Sequence, residues 1–319
     1  MNALRPDQVL PPAIRGRLQY HYRAHGAELR RFRLAVQHAL EAEVGRLGPA
    51  FADGCLQAPA APIVAALGRY IAWLGWCVWC CSHLAPPLGL TGAADARRLA
   101  AATLVYTGPR LIDDAIDGHD DYKGKHPTAQ RLLARSFTGQ AAADLRANGV
   151  LAGTWVILHG LRRLERHGGA ELARAIQALC HRIAPGAILE NLHQTPLTWV
   201  QYCAIVERKS VLYDQILYRA LLDPVAEAKR AGLFDITAKL SALAQYLNDF
   251  NDKTEDSRRG QRSSYSHFKS DTEFWDRCRS QVNSIIAGFT PLPDALGNAL
   301  AAALVETVDA AARLSPPSR

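Results

Sequence analysis

Two acidic segments lie far apart in the chain, and each carries its side-chain oxygens at helical spacing. The first reads Asp113-Asp114-Ala115-Ile116-Asp117, and the second begins at Asn248-Asp249 and reaches Asp256. Residues four apart on an α-helix share a face, so each segment presents a row of oxygen ligands. Such rows suit Mg²⁺, which binds a few carboxylates, keeps several waters and completes its shell with phosphate oxygens. The candidate metal ligands are Asp113, Asp114, Asp117, Asn248, Asp249, Asp252 and Asp256.

The second acidic residue of each segment is expected to have a different role from its neighbours. Asp114 and Asp249 lie beside the two rows rather than on them, and we expect them to orient the ligands. A single acidic segment of this kind is usually a solvated helix face. The functional interpretation therefore depends on the sequence around both segments.

The residues that flank both segments resemble those of class I prenyl-diphosphate enzymes with the isoprenyl diphosphate synthase fold. After D-D-x-x-D that family carries R-R-G-x-P-T, and the stretch from Tyr122 to Thr128 is similar to it. Tyr202 to Ser210 matches the family's Y-x-x-x-x-x-x-K-[ST], and Gln245 to Asp249 matches its Q-x-x-D-D with Asn248 in place of one Asp. Gly260 to Tyr265 resembles its G-K-x-T-x-P. The matches keep the family order over most of the chain, which makes the resemblance specific.

The resemblance implies an all-α, single-domain helical bundle of the isoprenoid synthase type around a central cavity. It also implies a cluster of about three Mg²⁺ ions that neutralises the diphosphate of an allylic prenyl substrate while its C–O bond breaks. The catalytic residues would be Asp113, Asp117 and Lys209. The substrate-binding residues would be Arg208, Lys209, Gln245, Arg259, Arg262, Lys123, Gly108 and Tyr106.

The part of the family pattern that binds a second substrate, isopentenyl diphosphate, is poorly matched. Gly68-Arg69-Tyr70 is the nearest counterpart of G-K-R-x-R-P, Tyr122-Lys123 replaces two arginines, and Gly186 to Glu190 lacks the glutamine of G-Q-x-x-D. The second acidic segment also has the spacing found in terpene cyclases. We therefore predict a class I terpene synthase. The alternatives are an (E)-isoprenyl diphosphate synthase or other prenyltransferase with a divergent acceptor site, and an inactive homologue that serves as a partner subunit.

Residues just before the first acidic segment are expected to set the length of the substrate. In elongating members of the family, the positions four and five residues before D-D-x-x-D face the growing chain, and here they are Pro109 and Gly108. The missing side chain at Gly108 predicts a deep pocket and a C15–C20 substrate. Pro109 either begins a helix or breaks one below the metal site. The direction of Tyr106 depends on that break.

Composition favours a globular helical protein and gives little support to nucleic-acid binding. The 319 residues are 49% hydrophobic and 21% charged, and the net charge of +7 comes from scattered basic residues rather than a stripe.

The seven cysteines form no regular framework, which favours reduced thiols and a cytoplasmic protein. No signal peptide is visible. The apolar stretch from Ala61 to Cys81 contains Arg69, so we expect no integral membrane segment. A homodimer is expected only because the family is commonly dimeric.

No linker divides the chain, so we predict one domain over residues 1–319 with frayed ends at about 1–12 and 315–319. Helical periodicity and Pro/Gly breaks set the boundaries of the elements. The predicted helices are Leu18–Leu47, Ile63–Leu84, Ala93–Ile116, Thr128–Leu133, Gly139–His167, Ala170–His193, Leu197–Leu222, Ala226–Asp252, Thr272–Ala287 and Pro293–Leu314.

Aromatic side chains could shield and steer a carbocation, although core packing is the alternative for each of them. The candidates are Trp73, Trp76, Trp79, Tyr106, Trp155, Tyr202, Tyr246 and Phe250. Cys77, Cys80 and Cys81 lie near His83, which allows either a metal site or small buried side chains.

Overall fold

The computed structural model describes residues 5–47, 60–74, 76–118, 121–122, 126–136, 142–192, 198–259 and 264–314. Within these ranges the chain forms a bundle of α-helices with short connections. The helices are α1 (Pro12–Gly45), α2 (Ala60–Leu74), α3 (Trp76–Ser82), α4 (Ala93–Asp117), α5 (Ala129–Ser136), α6 (Ala142–Leu192), α7 (Trp199–Val206), α8 (Leu212–Leu222), α9 (Glu227–Arg259), α10 (Asp271–Phe289) and α11 (Asp294–Leu314). A π-helical turn, Glu207–Val211, joins α7 to α8, and two-residue strands β1 (Asp121–Tyr122) and β2 (His126–Pro127) pair antiparallel.

The observed helices agree with the all-α prediction. The segment predicted as Ile63–Leu84 is helical over Ala60–Leu74 and Trp76–Ser82, and residue 75 between them lies outside the described residues. The segment predicted as Leu197–Leu222 is interrupted by the π-helical turn. The two helices predicted on either side of Gly168-Gly169 meet at a kink inside α6, where Gly169 has the non-helical angles φ 88° and ψ 166°. A positive φ is readily adopted only by glycine, so the helix is interrupted where the glycine pair predicts a break.

The amino-terminal segment from Arg5 is packed against the bundle, so the prediction of a frayed start was wrong for these residues. A 3₁₀ helix spans Pro6–Gln8, and Val9 and Leu10, which follow it, are buried. Pro12 then begins α1, where a missing backbone N–H costs no helical hydrogen bond. Residues 315–319 lie outside the described part of the chain.

Buried apolar side chains from α1 through α11 form a continuous core. Within the described residues, one helix, Asp294–Arg313, is long and apolar enough to cross a membrane. Of its most apolar stretch, 67% is buried in the bundle, as is common for a core helix.

Helix α4 carries the first acidic segment at its carboxyl end. The helix continues through Pro109, so it does not begin at the proline. The Tyr106 carbonyl lies three residues before the proline and accepts a hydrogen bond from the Tyr213 hydroxyl. Another helix therefore supplies a hydrogen-bond donor close to Pro109. The helix ends directly after Asp117, where Gly118 has φ 67° and its amide donates to the Asp114 carbonyl.

Helices α4 and α6 pack backbone to backbone along a glycine seam, which we define as Gly108, Gly149, Gly153 and Gly160. A Cβ placed on Gly108 would lie 2.6 Å from the Gly153 carbonyl oxygen and 2.3 Å from Ile157 Cγ1. The space beside Gly108 is therefore filled by α6. The prediction that Gly108 lines a substrate pocket was wrong, because the missing side chain allows close helix packing. The seam fixes the position of the helix that carries Asp113.

Candidate active site

The first acidic segment presents two accessible carboxylates and one buried carboxylate. Asp113 is partly exposed and Asp117 is exposed, whereas Asp114 is only 3% exposed. The Tyr70 hydroxyl, from α2, donates a hydrogen bond to Asp114, and this contact and burial raise the pKa of Tyr70 above its ordinary value. Arg110, one turn earlier on α4, lies 3.6 Å from Asp113 and 4.0 Å from Asp114. Asp114 is thus held by its neighbours, while Asp113 and Asp117 face outward.

The second acidic segment repeats this arrangement on α9. Asp249 is buried and accepts hydrogen bonds from the Tyr202 hydroxyl and from Gln245 Nε2, the latter at 2.6 Å. Asn248 and Asp252 remain partly exposed. In both segments, therefore, the second acidic residue is fixed by a tyrosine from another helix, as expected for residues that orient their neighbours.

Contacts of residues next to Asn248 and Asp252 tie α9 to its neighbouring helices. Asn251 Nδ2 donates to the Ala311 carbonyl at 2.8 Å, which ties α9 to α11. Lys253 Nζ lies 3.3 Å from Asp271 Oδ1 and so ties α9 to α10. These residues are used for packing and are not available as ligands.

The π-helical turn Glu207–Val211 links the two acidic segments. Lys209 Nζ lies 3.2 Å from Asp113 Oδ1 on α4. The neighbouring Ser210 hydroxyl donates to Gln245 Oε1 on α9 at 2.9 Å, and Gln245 in turn donates to Asp249. Two consecutive residues of one short turn therefore contact the first segment directly and the second segment through Gln245. Single π-helical turns inside α-helices occur frequently at functional sites.

Gly186 allows α6 to approach this turn closely. A Cβ on Gly186 would lie 2.8 Å from Arg208 Cβ and 3.3 Å from the Lys209 amide nitrogen. The sequence pattern treats Gly186 as a remnant of an acceptor-site motif. In the structure its role is to let α6 support the backbone that presents Lys209.

The other predicted diphosphate-binding residues do not all reach the site. Arg208 is exposed, and within the described residues no hydrogen bond or ion pair joins it to either acidic segment. Lys123 and Arg262 lie outside the described residues. Asp256 and Arg259 lie on the described backbone of α9, and nothing is described of their side chains.

A polar cluster lies between α4 and α8, and we call it the floor: the buried Tyr106 and the partly buried Tyr213 and Asp214. The Tyr106 and Tyr213 rings have centroids 4.1 Å apart, and the Tyr106 hydroxyl lies 3.3 Å from Asp214 Oδ1. Burial raises the pKa of Asp214 to about 6. Tyr106 precedes Asp113 by roughly two helical turns, so the floor lies ~10 Å below the first acidic segment.

Sequence reasoning had identified Tyr106 but missed the other two floor residues, as well as Tyr70 and Arg110. Tyr213 follows Lys209 by four residues, and Arg110 precedes Asp113 by three. Both spacings place a residue on the same helix face as a predicted site residue, which is a signal that could have found them.

The predicted aromatic residues divide between the site and the core. Tyr202 contacts Asp249, and its ring stacks on Trp199 with centroids 5.5 Å apart. Phe250 instead packs against Phe274 and Trp275 of α10, with centroid distances of 5.1 and 4.5 Å. Trp79 is 52% exposed. The side chains of Trp73 and Trp76 are not among those described.

The cysteine cluster near His83 shows packing contacts rather than those of a metal site. Cys81 is buried, and the Thr307 hydroxyl donates to Cys80 Sγ at 3.8 Å. Burial raises the pKa of Cys80 to about 12, which keeps it a thiol. His83 Nε2 is 2.9 Å from Glu306 Oε2 and is therefore engaged elsewhere.

The acidic segments fit metal ions that a substrate helps to hold. Among the described side chains, no three carboxylate, imidazole or thiolate groups meet closely enough to hold an ion alone. Mg²⁺ usually takes only one or two carboxylates and fills its shell with water and substrate phosphate oxygens. Asp113 and Asp117 on one side, with Asn248 and Asp252 on the other, match that need.

Comparison with known proteins rests on structure alone. No protein-family model matches the sequence, and no curated protein matches it either. A geranyltransferase from Legionella pneumophila is similar in fold, with a TM-score of 0.65 and 16% identity over 93% of this chain and 98% of that one. A polyprenyl synthase from Caulobacter crescentus, complexed with calcium and isoprenyl diphosphate, gives a TM-score of 0.62 and 15% identity over 97% and 98%. A polyprenyl synthetase from Streptomyces coelicolor gives a TM-score of 0.62 and 16% identity over 89% of this chain and 99% of that one. The chain therefore has the isoprenyl diphosphate synthase fold, as its sequence predicts.

Proposed function

We propose that the protein is a class I terpene synthase that ionises an allylic prenyl diphosphate with Mg²⁺ and releases diphosphate. The observation that carries this proposal is the pair of contacts made by the π-helical turn, Lys209 to Asp113 and Ser210 to Gln245. We infer from these contacts that Lys209 and the two rows of oxygen ligands border one place in the bundle. That arrangement suits a highly charged leaving group.

Each of these residues would do one part of the ionisation. Mg²⁺ held by Asp113, Asp117, Asn248 and Asp252 would neutralise the diphosphate as the C–O bond breaks. Lys209 would exchange its contact with Asp113 for one with a diphosphate oxygen. Tyr70 and Tyr202 would keep Asp114 and Asp249 in place. The neighbouring rings of Tyr106 and Tyr213 would shield the carbocation from water and offer π surface to it.

The state of the acceptor region supports a single-substrate reaction. In elongating members, the motif that Gly68-Arg69-Tyr70 resembles binds a second diphosphate. Here Tyr70 is 1% exposed and donates to Asp114, whereas Arg69 is exposed. This segment is therefore used to hold the first acidic segment. The seven cysteines of the sequence form no regular framework, which favours reduced thiols and supports a cytoplasmic enzyme.

The second candidate is an (E)-isoprenyl diphosphate synthase. The similar structures favour it, because their names describe a geranyltransferase and polyprenyl synthases. A third, an inactive homologue serving as a partner subunit, is disfavoured by the two intact acidic segments. All three make different predictions for one assay.

The assay incubates purified protein and Mg²⁺ with geranyl, farnesyl or geranylgeranyl diphosphate, each alone and then with isopentenyl diphosphate. Release of inorganic diphosphate and the extracted hydrocarbon are measured. We expect release from an allylic diphosphate alone. Release only with isopentenyl diphosphate would identify an elongating enzyme, and no release under any condition would favour the inactive homologue. EDTA should stop release while the helical circular dichroism stays unchanged, since the ligands lie on helices that form without metal.

Substrate length depends on the floor rather than on Gly108. The sequence argument for a C15–C20 substrate used space beside Gly108, and α6 fills that space. Tyr106 and Tyr213 now mark the lower limit of the site. The comparison of the three allylic substrates measures the depth that these rings allow.

A further inference from the structure

Asp214 is a buried carboxylate that the proposed ionisation does not use. It lies in the first turn of α8, five residues after Lys209 on the same run of helix. The Tyr106 hydroxyl of α4 lies 3.3 Å from Oδ1, and the Ser241 hydroxyl of α9 also hydrogen-bonds to the carboxylate. The helices that meet at Asp214 are thus the ones that carry Asp113, Lys209 and Asp249.

The surroundings of Asp214 are polar but contain no compensating cation. None of the described lysines or arginines forms an ion pair with it, and both hydrogen-bond partners are neutral hydroxyls. Burying a carboxylate without a cation is costly, so a soluble protein seldom keeps one for packing alone. Asp214 is nevertheless only partly buried, so part of its side chain is accessible. Tyr213, beside it, is also only partly buried.

A carboxylate in this position meets the needs of the last step of a carbocation reaction. It lies below the proposed diphosphate site, next to the Tyr106 and Tyr213 rings, where a cationic carbon formed by ionisation would be sheltered. Its negative charge would stabilise that cation in a low-dielectric space. Its raised pKa, about 6, leaves it ionised at neutral pH and makes it a better proton acceptor than an ordinary aspartate.

We propose that Asp214 is the base that ends the reaction by taking a proton from the carbon next to the cationic centre. This inference rests on the proposed function. The C–H bond breaks, its electron pair forms a new C=C bond, and the proton goes to an Asp214 carboxylate oxygen. The electrons of the broken C–O bond have already left with the diphosphate. The product is an alkene, and Asp214 later gives its proton to water.

The test compares Asp214→Asn with wild type on whichever allylic diphosphate the wild type ionises best. Diphosphate release and the ratio of alkenes to alcohols are measured together, because water capture of the cation gives an alcohol. We expect release to stay within ~10-fold, since the diphosphate site is untouched, and the alkene-to-alcohol ratio to fall at least ~10-fold. Asp223→Asn is the matched control: Asp223 directly follows α8 and lies 4.0 Å from Arg230, away from the floor. It should leave both measurements unchanged.

The wild-type pH profile provides a second readout that does not depend on a variant. The titratable groups facing Asp214 are Tyr106 on α4 and Cys80 on α3, and the pKa of Cys80 is raised to about 12 by burial. Ser241 on α9 does not titrate. The alkene-to-alcohol ratio should therefore fall as pH drops through about 6 and should become flat in Asp214→Asn.

The outcomes separate this proposal from the one it rests on. Unchanged alkenes in a folded Asp214→Asn overturn the role of Asp214 while leaving the ionisation intact. If that variant does not fold, a wild-type ratio that is constant from pH 5 to 7.5 overturns it instead. A wild type that releases diphosphate but forms no alkene also overturns it. A wild type that releases no diphosphate refutes the proposed function first.

Discussion

The glycine seam between α4 and α6 makes a quantitative prediction at Gly108. Adding one methyl group by Gly108→Ala brings Cβ to 2.6 Å from the Gly153 carbonyl oxygen and 2.3 Å from Ile157 Cγ1. A side chain can rotate away, but a carbonyl in the middle of a helix cannot, so the helices must separate. Overpacking of this kind costs ~1–3 kcal/mol, against a gain of ~0.5–1 kcal/mol from replacing glycine inside a helix.

We therefore expect Gly108→Ala to lower the free energy of unfolding by ~1–2 kcal/mol. A loss of that size corresponds to a fall of a few degrees in Tm, at about 2 °C per kcal/mol for a chain of this size. Thermal unfolding followed by circular dichroism measures it. Gly232→Ala in α9 is the matched control, because a Cβ there meets nothing within 4 Å and should raise Tm slightly.

A Gly108→Ala variant as stable as Gly232→Ala would contradict the close packing of α4 and α6 at Gly108. It would mean that Gly108 faces open space, and the pocket that the sequence pattern places there would be restored. Activity offers a second check, since separating the helices also moves Asp113. We expect the stability loss and the activity loss to appear together.

Three further predictions follow from the site and the core. Asp113→Asn should lower kcat for diphosphate release by at least ~10³-fold with unchanged Tm, because it removes stabilisation that grows as the C–O bond breaks. Asp235 is exposed on α9, so the control Asp235→Asn should change neither kcat nor Tm. Tyr106→Ala should shift kcat/KM toward longer allylic diphosphates, with ~1–3 kcal/mol of discrimination per methylene of added space. Stability should fall on acidification: burial lowers the pKa of His21 to about 3, so moving from pH 6.5 to pH 5 should cost ~2 kcal/mol in urea unfolding.

The direction of the pH effect follows from where the proton binds. The unfolded chain takes up a proton on His21 below about pH 6.5, whereas the folded chain resists it until about pH 3, so acid favours unfolding. Glu306 acts in the same direction at lower pH, because its hydrogen bond from His83 outweighs burial and lowers its pKa to about 2. His21→Leu should flatten the dependence between pH 6.5 and 5. Equal slopes in the two proteins would contradict the assignment to His21.

If Tyr106→Ala leaves the ranking of the allylic substrates unchanged, that result contradicts the role of the floor in setting substrate length. Near-normal activity in Asp113→Asn would remove Asp113 from the ligand set. In each case the matched measurement of Tm distinguishes a change in the site from a loss of fold.

The acidic rows could be predicted because their geometry is local. Asp113 and Asp117 share a face wherever the helix lies, and so do Asn248 and Asp252. The all-α fold was predictable for the same reason, since helical periodicity and the ordered motifs do not depend on tertiary contacts. The break at Gly169 was predictable for the same reason, because a glycine pair interrupts a helix locally.

Gly108 was misread because a missing side chain has two meanings. It can leave space for a ligand or let another backbone approach, and the choice depends on what lies opposite. Here Gly153 and Ile157, far along the chain, decide it. Asp214 was missed for a related reason: its partners Tyr106 and Ser241 come from two other helices, and no spacing in the sequence brings them together.

The π-helical turn also sets the rotational phase between α7 and α8. Tyr202 and Asp214 are separated by roughly three and a third turns of plain α-helix, which would point them about 120° apart. A π turn accommodates one additional residue, worth about 100° of rotation, and so returns them almost to the same side. Removing one residue from this turn would restore an ordinary helix without rotating α8, because eleven residues of α-helix also end about 20° from a whole number of turns. An ordinary α-helix that kept all twelve residues would instead rotate α8 by about 100° and carry Asp214 away from Tyr106. The π-helical turn therefore lets the chain hold one additional residue while Tyr202 and Asp214 stay on the same side of a single helical rod.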